Sequence, residues 1–554
     1  MKQGFVIHRQ LRRSLRLGLA GVLLAGAGVM INAHPAQADH MALARARAAA
    51  GILVYPNVGI QELPSIDTVN GGDSNSYQAV GVVYSNLVKL NEKLQPVGDA
   101  ARDWTVSPDN LTYTFHLRHN IRFSDGTPVN ASDVVYSFVR DLNPRFVSNG
   151  HAALQHIVGA HDVLSGKTKA LAGIKALGIY DVRISIDAPI LYFPELLSRA
   201  QAGIVDRHVI EKYGEGKWYD HAIGSGPWMI KTWTHGQGMV LVPNPYYFGA
   251  KPALREYDMP FIQNPETAYS EYQTGQIDVD NNVPAAEIAN AAKLPGFHEA
   301  PQLATDYIGL NTHIAPFDTI KVRQAFLLAT DRKVLAEKVL KGGVVAADGL
   351  LPPTMPGWTQ ANQNLMPYNP AKARALLAAA GHPNGAGLPP ITFSFQAGSG
   401  RDLLREGAVL QQMWQQNLGV KVNLNVVELG KYNHDLDSHN VPMYVIQWGA
   451  DWPDPSNWLS LQLHSGVSNN NGDWSNYQFD KLVDEADITH DTTKRFALYQ
   501  QAEKIAIQQV PWIPLDSPKA LVLVRPSIHG FTLTGENLSG QGPVLADWSK
   551  ITTR

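Results

Sequence analysis

The sequence predicts a large multi-domain protein of mixed α/β or α+β architecture, and three observations support this. The chain has 554 residues, long enough for about two to four domains. Short β-like runs alternate with segments in which apolar residues recur three and four positions apart. The composition is 44% hydrophobic, with 12 Trp, 20 Tyr and 16 Phe, so it can bury large cores. Such a composition excludes disordered and collagen-like proteins.

Individual elements follow from local patterns. The β-like runs predict three strands, at Ile52–Tyr55, Tyr113–Leu117 and Met239–Val242. Apolar residues at helical spacing predict three helices, at Lys321–Leu340, Pro370–Ala380 and Arg405–Asn417. A further helix is expected after Asn130, because Asn130 can cap its first turn and Asp133 occupies the position of a capping-box acid.

Composition and charge exclude several function classes. The chain contains no cysteine, which excludes disulfides, Cys-zinc sites, iron–sulfur clusters, thiol nucleophiles and lipid-modified cysteines. The formal net charge is −3, with no basic excess of the kind that binds nucleic acid. We therefore expect a non-redox globular protein with no nucleic-acid partner.

The amino terminus has the three parts of a secretory signal peptide. Positive charges lie between Lys2 and Arg16, an apolar run of 15 residues extends from Leu17 to Ile31, and Ala36-Gln37-Ala38 forms a cleavage site. The apolar run is shorter than the roughly 20 residues that span a bilayer. We therefore predict that residues 1–38 are removed after Ala38. Export through the twin-arginine route stays open because Arg12-Arg13 is a weak match to its motif.

Removal of the signal peptide changes both the charge and the expected location. Five positive charges leave with residues 1–38, so the formal net charge of −3 becomes −8. No later segment of the sequence is apolar enough to span a membrane. The mature protein is expected to diffuse freely in a bacterial periplasm.

A series of landmarks then resembles one protein family. The first group surrounds the predicted strand at Tyr113–Leu117 and includes Trp104, Asp125-Gly126 and Asp133-Val134. The later landmarks follow in order: Gly224-Ser225-Gly226-Pro227-Trp228, Asn244-Pro245-Tyr246-Tyr247, Leu310-Asn311-Thr312, Val322-Arg323-Gln324-Ala325-Phe326, Trp448–Pro455 and Asn476–Asp480. Together they resemble the bacterial extracellular solute-binding proteins of family 5, which serve peptide, dipeptide, oligopeptide and nickel-chelate ABC transporters. The resemblance covers nearly the whole mature chain.

The resemblance implies an α/β fold of the periplasmic-binding-protein type (class II), a two-lobe ligand clamp with an additional third domain. By the family pattern, lobe I is discontinuous and comprises residues 39–83, 205–308 and 520–554. The extra domain packed on lobe I comprises residues 84–204, and lobe II comprises residues 309–519.

The same resemblance assigns a ligand-binding role to Asp451. In peptide-binding relatives the matching aspartate pairs with the α-ammonium of the ligand. This is chemically sensible because a cation enclosed between lobes loses water and needs a charge-assisted hydrogen bond. Asp454 is instead expected to be structural, with either Asp454 or Ser456 capping a following helix and Pro455 in its first turn.

Residues around Asp451 are candidates for shaping the pocket. Gly449 and Ala450 would let the ligand backbone approach closely. Trp448 and Trp452 would give the pocket flat apolar walls. Oligopeptide-binding relatives carry an arginine three positions before the matching tryptophan, where this chain has Val445. This departure weakens the expectation of long peptide ligands.

Three more residues complete the candidate site. Arg401 lies near where dipeptide-binding relatives place a carboxylate-binding arginine, although a solvated surface arginine is the alternative. Tyr307 lies near a chain crossing expected at Tyr307–Asn311, with a second crossing at Pro514–Lys519, and these would form the hinge. Its hydroxyl would bind ligand backbone, or Tyr307 is a core residue. Tyr55, at the end of the first strand, is a further expected contact.

Motifs of other classes are absent from the sequence. There is no G-x-S-x-G elbow and no H-E-x-x-H helix, and the histidines lack metal-ligand spacing, so no catalytic residue, metal site or cofactor is predicted. We expect a monomeric, non-enzymatic binding protein that delivers short peptides to an inner-membrane ABC permease with its ATPases. Two alternatives stay open: the same fold binding a metal chelate, haem or an oligosaccharide, and a secreted hydrolase.

Overall fold

The computed structural model describes residues 35–69, 74–146, 151–397, 403–533 and 547–553. Within these ranges the strands are β1 (Ile52–Val54), β2 (Asn57–Val58), β3 (Val88–Leu90), β4 (Pro96–Gly98), β5 (Ala101–Val106), β6 (Thr112–Leu117), β7 (Ile174–Ala176), β8 (Asp181–Ser185), β9 (Trp228–Thr234), β10 (Gly238–Pro243), β11 (Glu256–Ile262), β12 (Val279–Asp280), β13 (Phe297–Pro301), β14 (Ala304–Leu310), β15 (Val344–Ala346), β16 (Ile391–Gln396), β17 (Val422–Val427), β18 (Met443–Gly449) and β19 (Trp512–Val524).

Helices are interspersed with these strands along the whole chain. The α-helices are α1 (Pro35–Ala50), α2 (Ser74–Val83), α3 (Ala131–Asp141), α4 (His151–Leu154), α5 (Ala160–Leu164), α6 (Phe193–Leu196), α7 (Arg207–Tyr213), α8 (Pro265–Thr274), α9 (Ile288–Ala291), α10 (Ile320–Leu328), α11 (Arg332–Val334), α12 (Pro370–Ala379), α13 (Leu403–Leu418), α14 (Leu429–Asp437), α15 (Leu459–Leu463), α16 (Tyr477–Asp487) and α17 (Thr492–Gln509). None of the helices in the described ranges is both long and apolar enough to cross a membrane.

The predicted strands and most of the predicted helices are present, with ends shifted by one or two residues. The cap of α3 is also confirmed. The side chain of Asn130 accepts a hydrogen bond from the Ser132 amide at 2.8 Å, and the Asp133 carboxylate accepts one from the Asn130 amide at 2.8 Å. The predicted signal peptide falls almost entirely outside the described residues, and its cleavage stays a prediction.

The prediction of one continuous helix over Lys321–Leu340 is wrong. Helix α10 ends at Leu328, and the chain restarts as α11 followed by a π-helical turn at Leu335–Val339. Asp331 explains the break, because its carboxylate accepts a hydrogen bond from the Val334 amide at 3.1 Å and so caps a new helix. The helical spacing of apolar residues continues through Asp331, but a side chain that accepts from a free amide there starts a new helix instead of continuing the old one.

The first hydrophobic core lies on a five-stranded sheet. The strand order is β1-β11-β10-β9, with β2 also paired to β11. Strands β1 and β2 run parallel to β11, whereas β10 is antiparallel to it. Residues from both ends of the chain fill this core, including Leu53, Trp228, Tyr257, Val522 and Trp548. The carboxyl-terminal part of the chain therefore returns to the body in which the chain began.

The second core is built on the larger part of an eight-stranded sheet. Its order is β12-β19-β14-β18-β16-β17, and β13 and β15 also pair with β19. Residues between Leu303 and Leu515 form this core, including Phe326, Trp414, Trp458 and Tyr499. A third core covers a four-stranded sheet of order β5-β6-β8-β7 and contains residues 87–204 together with Trp452. Among the described residues, Trp452 is the one buried member of the third core from the carboxyl-terminal half of the chain, and the partly buried Leu461 packs against it.

Strand β19 connects the first core to the second. Its beginning pairs with β14, where Ile513 lies opposite Ile308, and its end pairs with β13, where Leu523 lies opposite Phe297. The chain also crosses between the cores beside β19, at Gln302, whose amide donates a hydrogen bond to the Pro518 carbonyl at 2.9 Å. The chain therefore changes core at Gln302, before the crossing expected at Tyr307–Asn311. Tyr307 lies inside the second core.

The capping box of α3 provides a test of the local energetics. Asn130→Ala removes the acceptor for the Ser132 amide and should lower the free energy of unfolding by about 1 kcal/mol. Asn130→Asp keeps an acceptor and should stay within about 0.5 kcal/mol of the unchanged protein. Urea unfolding followed by circular dichroism measures both. An unchanged free energy of unfolding in Asn130→Ala would show that the side-chain cap contributes nothing.

Candidate functional site

The segment that contains Asp451 begins where strand β18 ends. Strand β18 is antiparallel to β14, with Trp448 opposite Thr305. The Ala450 amide donates to the Leu303 carbonyl at 2.7 Å, which extends the pairing beyond the strand. Trp448 and Gly449 are half-buried, and Ala450 is buried. This arrangement fixes the point at which the chain leaves the sheet and turns toward the third core.

The turn after Asp451 is held by side-chain hydrogen bonds. Asp454 accepts from the Ser456 amide at 2.9 Å and caps a 3₁₀ helix at Pro455–Asn457, as predicted from its position before a proline. Asn457 reaches back toward the strand. Its Oδ1 atom accepts from the Trp448 indole at 2.9 Å and from the Asp451 amide at 3.3 Å. The backbone of Asp451 is therefore fixed by the helix that follows it.

The Asp451 carboxylate forms an ion pair with Arg199. The Nη2 atom of Arg199 lies 2.6 Å from Oδ1 of Asp451. The side chain of Arg199 is 3% exposed, whereas that of Asp451 keeps 22%. We call the part of the protein built around each core a body. The pair joins two of them, because Arg199 follows α6 in the third body and Asp451 follows strand β18 of the second body. No motif in the sequence marks Arg199, which is a lone arginine between two short helices.

Arg199 has donors that this ion pair does not use. Its Nε and Nη1 atoms are buried and have no hydrogen-bond partner among the described residues. Arg199 also lines a cavity of about 650 Å³, together with Tyr84, Asn86, Tyr247 and Trp548. The residues lining this cavity come from the first and third bodies of the protein, and Arg199 belongs both to the cavity and to the contact with Asp451.

Trp452 makes the second contact between the bodies. Its ring stacks on Tyr192, with centroids 5.5 Å apart and an interplanar angle of 6°. The indole nitrogen donates to Ser456 Oγ at 2.9 Å, and the residue is 4% exposed. One face of the ring predicted to form a ligand wall is therefore occupied by Tyr192.

A buried ion pair supports this stack. Arg495 donates two hydrogen bonds to Asp454, at 2.6 and 2.7 Å, and its guanidinium carbon lies 5.8 Å from the centre of the Tyr192 ring. Burial lowers the pKa of Arg495, but the paired Asp454 carboxylate and the nearby Tyr499 and Asp487 raise it by more, so the net shift is upward. The bidentate pair engages both carboxylate oxygens of Asp454 and rigidifies the turn after Asp451, while Arg495 Nε has no hydrogen-bond partner among the described residues.

Glu195 is a titratable group at this contact. The residue is half-buried, but its Oε2 atom is enclosed and has no hydrogen-bond partner among the described residues. Burial is the main cause that raises the pKa of Glu195 to about 7, with a contribution from the nearby Asp454 charge and an opposing one from Arg495. The pKa of Asp487, close by, is raised to about 6, again mainly by burial.

Of the remaining predicted contacts, Tyr307 and Tyr55 are core residues. Tyr307 is buried in the second core, stacks on Trp512 at 3.8 Å between centroids and donates to Gln462 at 3.4 Å. Tyr55 is buried in the first core, and its hydroxyl accepts from Asn281 Nδ2 at 3.3 Å. Arg401 lies outside the described residues. The structure thus brings together Asp451 and its chain neighbours, and it adds Arg199, Tyr192 and Glu195.

Comparisons with known proteins give one consistent result. A family model described as "Bacterial extracellular solute-binding proteins, family 5 Middle" matches residues 95–470. The chain is 31% identical over 530 residues to the periplasmic oligopeptide-binding protein OppA of Salmonella typhimurium, covering 89% of this chain and 94% of the relative. It is 30% identical over 485 residues to the probable deoxycholate-binding periplasmic protein YgiS of Escherichia coli, covering 85% and 89%.

A solved structure shares the fold. The murein tripeptide binding protein MppA of Escherichia coli superposes with a TM-score of 0.74 at 28% sequence identity. The match covers 88% of this chain and 97% of that chain. The two-lobe clamp with an additional domain, expected from the sequence, is therefore confirmed as the fold class.

The raised pKa of Glu195 gives a pH-dependent stability. The ordinary pKa is 4.5 and the raised one is about 7, so between these pH values the folded protein holds a proton that the unfolded chain has released. The free energy of unfolding therefore falls as the pH rises through this window. Glu195→Gln imitates the protonated form, and its advantage over the unchanged protein should grow from nearly zero at pH 4.5 to about 2–3 kcal/mol at pH 8.

Urea unfolding at several pH values measures this difference. Glu211→Gln is the matched control, because Glu211 is exposed and its ion pair, among the described residues, is with Arg207 one helical turn away. A surface ion pair of this kind contributes little, so the difference in free energy of unfolding for Glu211→Gln should stay small at every pH tested. Asp487 contributes the same pH dependence to the free energy of unfolding of every protein compared, so its contribution cancels in the differences. A constant difference for Glu195→Gln would contradict the assignment.

Proposed function

We propose that this chain, which belongs to the bacterial extracellular solute-binding proteins of family 5, captures short peptides between two closing lobes and delivers them to an ABC permease in the inner membrane. The ligand shifts the population toward the closed state because it contacts both lobes only there. The curated relative at 31% identity is named as an oligopeptide-binding protein, and the solved relative at 28% identity as a murein tripeptide binding protein.

The placement of Asp451 is the observation that carries this proposal. Its carboxylate lies where a loop of the second core meets the third core, and it retains accessible surface. A carboxylate at the contact between two bodies can bind an ammonium that enters when they close. The low-dielectric surroundings strengthen such a charge-assisted hydrogen bond.

The other ligand contacts follow from accessibility. Trp448 and Gly449 keep exposed surface beside Asp451, and we assign them contact with the ligand backbone and its first side chain. Trp452 and Ala450 are buried and do not contact the ligand. They fix the conformation of the turn that carries Asp451. The burial of Tyr307 against Trp512 favours its alternative role as a core residue.

The domain boundaries are part of the same proposal. The first core supports lobe I at residues 39–83, 205–308 and 520–554, because its members come from those ranges except Tyr84. The third core supports an extra domain at residues 84–204. The second core supports lobe II at residues 309–519 and begins slightly earlier, at Leu303.

Location and partners complete the proposal. The mature protein starts at Asp39 after signal-peptide cleavage, works in the periplasm as a monomer, and docks on permease subunits that carry separate ATPases. Several relatives have periplasmic in their names, among them the oligopeptide-binding protein of Salmonella typhimurium. The chain binds its ligand without converting it, so incubation with a bound peptide should return that peptide intact.

A thermal-melt screen tests the ligand class. Protein comprising residues 39–554, unfolded and refolded to remove carried-over ligand, is mixed with di-, tri- and pentapeptides, nickel–histidine, haem, oligosaccharides and deoxycholate. A ligand at about 1,000 times its dissociation constant adds about 4 kcal/mol, which should raise the melting midpoint by several degrees. We expect a shift with peptides. A shift with only a chelate, sugar, haem or bile acid would keep the fold and overturn the peptide assignment.

The role of Asp451 is tested by Asp451→Asn. The change removes the counter-charge of the ligand ammonium and should weaken peptide binding at least tenfold, which corresponds to about 1.4 kcal/mol. Isothermal titration calorimetry measures the dissociation constant, and a melt without ligand checks the fold.

Asp435→Asn is the matched control for Asp451→Asn. Asp435 lies in the same body, and its partner is Lys431 on the surface of α14. Its removal should leave peptide affinity unchanged. An unchanged dissociation constant in Asp451→Asn would exclude Asp451 from the ligand site.

A further inference from the structure

Arg199 is a buried cation whose hydrogen-bonding capacity is only partly used. Its side chain is 3% exposed, and the one guanidinium hydrogen bond to a described residue goes to Asp451. The Nε and Nη1 atoms lack partners within the described part of the chain. A buried donor left without an acceptor costs about 1–3 kcal/mol, more where the group is charged. The site therefore lacks an acceptor on the Arg199 side, while Asp451 already has one cation.

The charge balance shows what kind of ligand end fits there. Arg199 and Asp451 together are neutral, so an entering ammonium adds one uncompensated positive charge beside a guanidinium. Like charges at close range in a desolvated site repel each other. A ligand that brings a negative group along with its ammonium restores neutrality and supplies the missing acceptor.

We propose that Arg199 is a second ligand-binding residue, which takes a carboxylate located next to the ligand ammonium that Asp451 takes. The preferred ligands are then peptides whose first residue is acidic, since Asp and Glu carry a carboxylate a few bonds from the α-ammonium. This inference rests on the proposed binding of peptides and specifies their amino-terminal residue. The geometry of a planar guanidinium supports the inference, because it can bind the carboxylates of Asp451 and of the ligand through different nitrogen atoms.

The arrangement also gives each residue a separate effect on specificity. Asp451 serves every peptide with a free ammonium. Arg199 strengthens the binding only of peptides with an adjacent carboxylate, and it weakens the binding of peptides that bring an ammonium alone. Replacement of Arg199 by a neutral residue should therefore weaken one class of ligand and spare or strengthen the other.

Two matched peptides test this proposal. Glu-Ala-Ala and Gln-Ala-Ala have the same length and nearly the same shape, and they differ in one negative charge. By calorimetry, the unchanged protein should bind Glu-Ala-Ala at least tenfold more tightly. Arg199→Gln should lose that preference by weakening Glu-Ala-Ala binding, while its affinity for Gln-Ala-Ala holds or rises. A purely structural role of Arg199 would weaken both peptides equally.

A control and a folding-independent comparison complete the experiment. Arg207→Gln removes an exposed arginine that pairs with Glu211, so it should keep the tenfold preference. The comparison of the two peptides on the unchanged protein does not depend on the folding of any variant. Equal affinity for both peptides would overturn the role of Arg199 while peptide binding stands. Failure of every peptide to bind would overturn both proposals.

Discussion

One strand, β19, is shared by the two halves of the clamp, and the rest of the architecture depends on it. Its thirteen residues begin in the second core and end in the first, so each half contributes a ladder to the same backbone. Pro514 lies in the ladder to β14 and Pro518 in the ladder to β15, and neither has an amide hydrogen to donate. Two positions of β19 near the passage from one body to the other therefore donate no backbone hydrogen bond.

This constraint explains why the contact between the bodies forms around Asp451. Strand β18 pairs with β14, which itself pairs with β19, so the end of β18 is positioned relative to the crossing by two successive ladders. The turn that follows is stiffened by Asp454, Arg495 and Asn457. A site that must meet a partner surface on closure benefits from this rigidity, because little conformational entropy is then lost on binding.

Local sequence rules predicted the parts of the structure that local interactions determine. The capping box at Asn130, the cap at Asp454 and the strand at Tyr113–Leu117 depend on neighbours within a few residues. The motif at Trp448–Pro455 marks Asp451 as a candidate, and its ligand role stays a prediction. No motif marks Arg199, Tyr192 and Glu195, because their relation to Asp451 comes from the packing of separate bodies and leaves no spacing in the sequence. Asp331 is a typical helix-capping residue and could have indicated the break, but the helical spacing of apolar residues around it favoured one continuous helix.

The site also suggests why closure without ligand would be limited. The stack of Trp452 on Tyr192 buries apolar surface in the contact between the bodies, so it favours contact with or without ligand. Arg199 acts in the opposite direction, since contact encloses donors that only water or a ligand can satisfy. Each unsatisfied donor costs about 1–3 kcal/mol, and 1.4 kcal/mol is a factor of ten in population. A ligand with the matching acceptor removes that cost, so the same guanidinium that selects the ligand couples its binding to closure.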